Sequence, residues 1–159
     1  MRKLALGFTL LEMMAVLAIM AILMFMSLPS FEYKNTRLQV NESIELINPF
    51  KESLALFYLA EHKFPRTNSE AGIPKAEFLI GNYVQSIVLE NGAFHITFGN
   101  KVHVNLKNKI LTIRPMVVKD SPESPISWVC GYNAVPTGMI AVGVNKTDVA
   151  HLNLPMNCF

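Results

Sequence analysis

Read residue by residue, the chain is expected to fold as an α+β protein. One long N-terminal helix, apolar in its first half and amphipathic in its second, should pack on an antiparallel β-sheet of about four strands. Three observations lead there. The run Phe8–Leu28 is almost wholly apolar, apolar residues then recur among charged ones from Leu38 to Tyr58, and the later chain falls into short β-prone segments separated by turn-formers. Hydrophobic residues make up 51% of the chain, an ordinary share, but they are concentrated before Pro29.

The first segment, residues 1–7, carries Arg2 and Lys3 and leads without a spacer into Phe8–Leu28. Basic residues stay on the cytoplasmic side of a membrane, so the chain beyond them is expected to cross it. As a helix the apolar run spans about 30 Å, the thickness of the bilayer hydrocarbon. A conventional secretory signal is cut at small residues after its apolar region, and Ser27-Leu28-Pro29-Ser30 is a poor site for that. The small residue that stands out, Gly7, precedes the run. The apolar helix is therefore expected to stay in the mature chain, while Met13, Met14, Met20, Met24 and Met26 within it read as adaptable packing rather than metal ligands.

Glu12 is the anomaly of this segment, because a carboxylate among membrane-embedded apolar residues is costly and marks function. Either it snorkels into water or it finds a cation. A cut after Gly7 would create one, the α-amino group of Phe8, a single helical turn away.

Past the apolar run, Pro29 predicts a kink. Leu38, Ile44, Ile47, Leu54, Phe57 and Tyr58, interleaved with Arg37, Glu42, Glu45, Lys51 and Glu52, predict an amphipathic helix that is bent again at Pro49, the whole forming one long curved helix. Turn-formers over Phe64–Gly72 then end the helical period. The domain organisation expected is a leader at 1–7, a long helix at 8–60 with 8–28 in the membrane, and a globular head at 61–159.

Strands are expected at Tyr83–Leu89 and Ala93–Phe98, joined by the hairpin signal Asn91-Gly92. After Gly99-Asn100, Val102, Val104 and Leu106 alternate with His103 and Asn105 as in a strand, and Ile110–Arg114 and Ile126–Cys130 supply more. One face of such a sheet needs cover, and the amphipathic helix is the available layer.

Cys130 and Cys158 fit neither a metal knuckle nor a redox pair by spacing. In an exported chain a disulfide closing the C-terminal loop is preferred over two buried thiols. His62, His95, His103 and His151 are scattered without metal-ligand spacing, and no nucleophile elbow or phosphate loop occurs, so no metal, no cofactor and no catalysis are expected. Asn41-Glu42-Ser43 and Asn145-Lys146-Thr147 match a glycosylation sequon by chance and are assigned no role. Net charge is +2, and without Arg2 and Lys3 the 14 basic residues fall to 12, equal to the 12 acidic ones. Nucleic acid is therefore a partner that is not favoured, and Lys101, Lys107 and Lys109 read as a solvated edge that discourages sheet aggregation in preference to a contact for DNA phosphates.

Gly7-Phe8-Thr9-Leu10-Leu11-Glu12 ahead of an apolar run resembles the processing motif of type IV prepilins. The resemblance extends more loosely to Gly81-Asn82-Tyr83-Val84, Asn91-Gly92, Ile126-Ser127-Trp128-Val129-Cys130 and Leu154-Pro155-Met156-Asn157-Cys158, which are similar to stretches of type IVa pilins. It implies the pilin fold, cleavage after Gly7 by a membrane prepilin peptidase, N-methylation of Phe8 by the same enzyme, and pairing of Glu12 with the Phe8 amine of a neighbouring subunit. It further implies a single-pass inner-membrane precursor held in lipid, an assembly platform and outer-membrane secretin as partners, and a helical homopolymer outside the cell used for adhesion, twitching motility or DNA uptake. A type II secretion pseudopilin and a DNA-receptor minor pilin share the leader. Trp128-Val129-Cys130 favours a pilin over the first, and the neutral mature charge weighs against the second.

Overall fold

The computed structural model describes residues 7–159, and their side chains except those of 27–31. Residues 1–6 of the expected leader lie outside the described residues, as does the side chain of Pro29, where a kink is expected. The chain divides into two compact units, one up to Lys34 and one over Asn35–Phe159.

Helix α1 runs over Leu10–Glu45 and α2 over Asn48–Glu61, so the helical stretch is broken once, at Leu46-Ile47. Pro49 stands in the first turn of α2, where its missing N–H leaves no helical bond unmade. Ile47 closes the turn: its carbonyl accepts from Phe50 at 3.0 Å and Lys51 at 3.1 Å, and its side chain is fully buried. Within the second unit the buried stripe is Thr36, Val40, Ser43, Ile47 and Leu54, spaced at three, four and seven as one helical face requires. Burying Ile47 and Leu54 contributes about 1.5–3 kcal/mol each.

Leu38, expected on that stripe, is exposed. Two polar residues take part in its place because their hydroxyls are satisfied: Thr36 Oγ1 donates to Asn153 Oδ1 at 3.1 Å and Ser43 Oγ to the Gln39 carbonyl at 2.8 Å.

The stripe packs on one face of an antiparallel sheet with strands β1 (Val84–Glu90), β2 (Ala93–Phe98), β3 (Ile110–Val118) and β4 (Ser127–Cys130) in the order β1-β2-β3-β4, and β5 (Met139–Ala141) pairs with β3 on the side opposite β4, past the end of β2. The expected hairpin is present. Asn91 (φ 49°) and Gly92 (φ 83°) both take the left-handed conformation that a two-residue turn between twisted strands demands. Ile87, Leu89, Phe94, Ile96, Phe98, Leu111, Ile113 and Cys130 line the inner face, and Trp128 packs beside Phe94 at a ring separation of 5.8 Å.

The expected strand at Val102–Leu106 is not one. Val104–Leu106 is a single 3-10 turn, begun by His103, whose ring Nδ1 accepts the Asn105 N–H at 3.3 Å. The His103 N–H is itself drawn to Gln39 Oε1 at 2.8 Å, which ties this connection to α1 rather than to a neighbouring strand.

Two stretches of the sheet's borders are closed. On β1, the buried Asn68 accepts the Leu89 N–H at 2.7 Å and donates to the Ile87 carbonyl at 3.1 Å, so one side chain does the work of a paired strand. On β3, where β4 ends, Asp148 lies alongside: its N–H reaches the Ile110 carbonyl at 3.0 Å and its carboxylate accepts the Ile110 N–H at 2.5 Å. Thr147 Oγ1 accepts from the Thr112 N–H at 3.0 Å, which extends this cover to Thr112.

Candidate functional site

The residues singled out in the sequence fall in both units. In the first, residues 7–9 precede the helix in non-helical conformation and Leu10 begins it. The cause is Thr9. Its Oγ1 accepts the Glu12 N–H at 3.3 Å, while Glu12 Oε2 accepts the Thr9 N–H at 2.9 Å and its hydroxyl at 3.0 Å. This is a reciprocal capping box, in which a threonine and the glutamate three residues later satisfy each other's orphan N–H groups. It stops the helix short of Gly7 and Phe8, leaving their peptide bond in an open stretch, with Gly7 exposed and free of neighbours within 4 Å of its Cβ position. Glu12 is thus already bonded within its own chain. Thr9 had no role in the sequence reading, although Thr-x-x-Glu ahead of an apolar run is a signal that would have found it.

From Leu10 to Met26 every large apolar side chain is exposed, whichever side of the helix it occupies: Leu11 is 77% exposed, Met13 49%, Leu17 61%, Met20 49% and Phe25 75%. An ordinary surface helix has a polar side; this one offers none past Glu12. The described apolar side chains cover about 25 Å of helix, against roughly 30 Å of bilayer hydrocarbon. Among the described residues no helix is long and apolar enough to cross a membrane, and the expected span Phe8–Leu28 ends in residues outside the described side chains.

In the second unit Cys130 and Cys158 are joined as a disulfide, with Cα atoms 4.5 Å apart. Gly131 follows at φ 56°, and a Cβ there would stand 2.5 Å from the Cys158 carbonyl oxygen. Only glycine lets the chain turn this close to its own C-terminus. The Tyr132 N–H donates to that same oxygen at 2.8 Å, and Asn145 bridges the enclosed loop, donating to the Gly131 carbonyl at 2.8 Å while accepting from Thr147. The Asn145 amide of the second sequon is therefore committed to the fold. The C-terminal end is held to α1 by Arg37, whose Nε donates to the Leu152 carbonyl at 3.2 Å and whose guanidinium lies 5.9 Å from the Phe159 ring centroid.

Among the described residues no group of three or more His, Cys, Asp and Glu side chains could hold a metal ion. A recess of about 380 Å³ is lined by Glu42, Leu46, Asn82 and Tyr83 among others, and Glu42 there is already bonded to Asn82 at 3.0 Å.

A family profile described as "Pilin (bacterial filament)" matches residues 36–158. The chain belongs to the pilin family. A second profile, "Prokaryotic N-terminal methylation motif", matches residues 2–28 of this pilin. Among its relatives are a "Fimbrial protein" of Neisseria meningitidis serogroup A, 32% identical over 82% of this chain and 75% of the relative. The "Type IV major pilin protein PilE" of Neisseria gonorrhoeae is 30% identical over 99% of this chain and 96% of its own length. "Fimbrial protein EcpC" of Eikenella corrodens is 31% identical over 80% of this chain and 83% of its own. The pilin is accordingly a type IV subunit with the N-methylation motif, a structural and non-enzymatic protein of surface filaments.

Proposed function

We propose that this pilin is kept as a single-pass inner-membrane precursor, cut after Gly7, methylated on Phe8 and drawn into a helical homopolymer whose core is a bundle of Phe8–Leu28 helices. The observation that carries the reading is the unbroken exposure of large apolar side chains from Leu10 to Met26. Such a surface is stable only in lipid or against its own copies. In the polymer the Phe8 amine meets Glu12 of a neighbour, exchanging the internal Thr9 bond for a charged one. An unpaired carboxylate in an apolar core is strongly unfavourable and a paired one is tolerated, so the pairing sets the register. The prepilin peptidase, the assembly platform and the outer-membrane secretin are the partners of this route. The filament would serve adhesion, twitching motility or DNA uptake.

The reading in which the chain itself receives DNA is weakened by two of its cations: Lys146 is paired with Glu90, and Lys109 lies 3.5 Å from Asp148. Mass spectrometry of filaments sheared from cells tests the proposal. The expected N-terminus is an N-methylated Phe8; a secreted chain beginning beyond Leu28 overturns it.

A further inference from the structure

His95 of β2 is 5% exposed, and its two ring nitrogens meet different surroundings. Nδ1 lies 3.0 Å from Thr112 Oγ1 on β3, and that oxygen also accepts the Lys146 backbone N–H at 2.9 Å. The hydroxyl proton is then best donated to Nδ1, which assigns the ring proton to Nε2. Nε2 is buried with no hydrogen-bond partner among the described residues. The carboxylate of Glu90, at the end of β1, is 3.8 Å away and is held by Lys146 Nζ. Lys146 is therefore tied to one cluster twice, through its backbone by way of Thr112 and through its side chain by way of Glu90.

We propose that Glu90, His95 and Lys146 form an acid-operated latch that holds Asn145–Asp148 against β3 while His95 is neutral and releases it when the imidazole takes a proton. Protonation turns Nδ1 from acceptor to donor, which strands the Thr112 hydroxyl proton beside a buried ring. The imidazolium also repels Lys146 and competes with it for the one carboxylate between them. Among the described residues Glu90 and Lys146 are the charges that act on the ring: β2 places Ala93 and Thr97 on this side, β4 has no charged residue, β3 adds only another cation, Arg114, two positions beyond Thr112, and Asp148, the acid of the loop, accepts the Ile110 N–H and lies 3.5 Å from Lys109.

Burial first, and Lys146 second, hold the imidazole below its ordinary range, with Glu90 opposing. The folded chain thus binds fewer protons here than the unfolded one. The latch is at full strength above about pH 6.5 and weakens as pH falls below that value. Glu90, kept well ionised by its bond to Lys146, does not titrate in that window.

Hydrogen exchange on the full chain in detergent, at pH 7.5 and 5.0 and corrected for intrinsic rates, tests the latch. The Lys146, Thr147 and Asp148 amides should lose about ten-fold in protection at pH 5.0 while those of β2 keep theirs. His95→Asn, which retains a polar group near the Nδ1 place and cannot titrate, should abolish the difference. Protection independent of pH in the wild type, or an unchanged loss in His95→Asn, overturns the proposal. Should the variant not fold, histidine NMR of the wild type decides: an imidazole titrating at or above pH 6.5 overturns it, and one titrating lower together with the loop amides supports it.

Discussion

Glu12 carries two duties that one substitution cannot separate and two can. It caps α1 through Thr9, and in the proposed filament it neutralises a neighbour's amine. Glutamine serves in a capping box as glutamate does but has no charge. Glu12→Gln should therefore keep the helix start and Glu12→Ala should lose it. Both should be cut after Gly7, and both should yield few or no sheared filaments. Normal filaments from Glu12→Gln would show that the carboxylate works only as a cap. The sequence displayed this residue's oddity plainly, because a charge in an apolar run needs no structure to be noticed. It did not display which atom the carboxylate holds in the single chain, since that depends on where the helix starts.

Among the strands and helices, what was legible followed from local rules. Asn91-Gly92 announced its hairpin because both residues tolerate positive φ, and the two flanking strands fell into place with it. The alternation at Val102–Leu106 misled because two-residue periodicity says nothing about whether a neighbouring strand is there to pair, and Gln39 had already claimed the His103 N–H. β5, three residues long, carries too little pattern to be seen at all. Least visible was Asn68, an ordinary polar residue in a turn-rich stretch, whose side chain closes the border of β1 from a distance of about twenty positions. Asn68→Ala orphans the Ile87 carbonyl and the Leu89 N–H and should cost about 2–4 kcal/mol. A urea-unfolding midpoint equal to that of the wild type in detergent would contradict the role. The same variant should aggregate faster through its opened border.

For the molecule as a whole, the sheet, the loop and the C-terminus are bound by the Cys130–Cys158 bridge, 28 positions apart in the chain. Closing a loop of this size restricts the unfolded state by about 3–4 kcal/mol. Cys130→Ser should lose roughly that much in denaturant unfolding, and adding a reductant to the wild type should reproduce the loss. A wild-type midpoint indifferent to reductant would mean that the packing around Gly131 and Asn145 holds the loop unaided. The bridge was foreseeable from two cysteines in an exported chain. The network it encloses was not, because its members are backbone groups and small polar side chains brought together only by the turn at Gly131.

The covered stretches of β1 and β3 have a consequence for what kind of polymer this protein can become. Backbone ladders between copies form deposits that resist dissolution, and Asn68 and Asp148 deny them a foothold along those stretches. In the proposed filament association is left to oily helices, for which lipid tails are an equally good solvent. Were the filament built as proposed, its subunits should return to a bilayer intact when it comes apart.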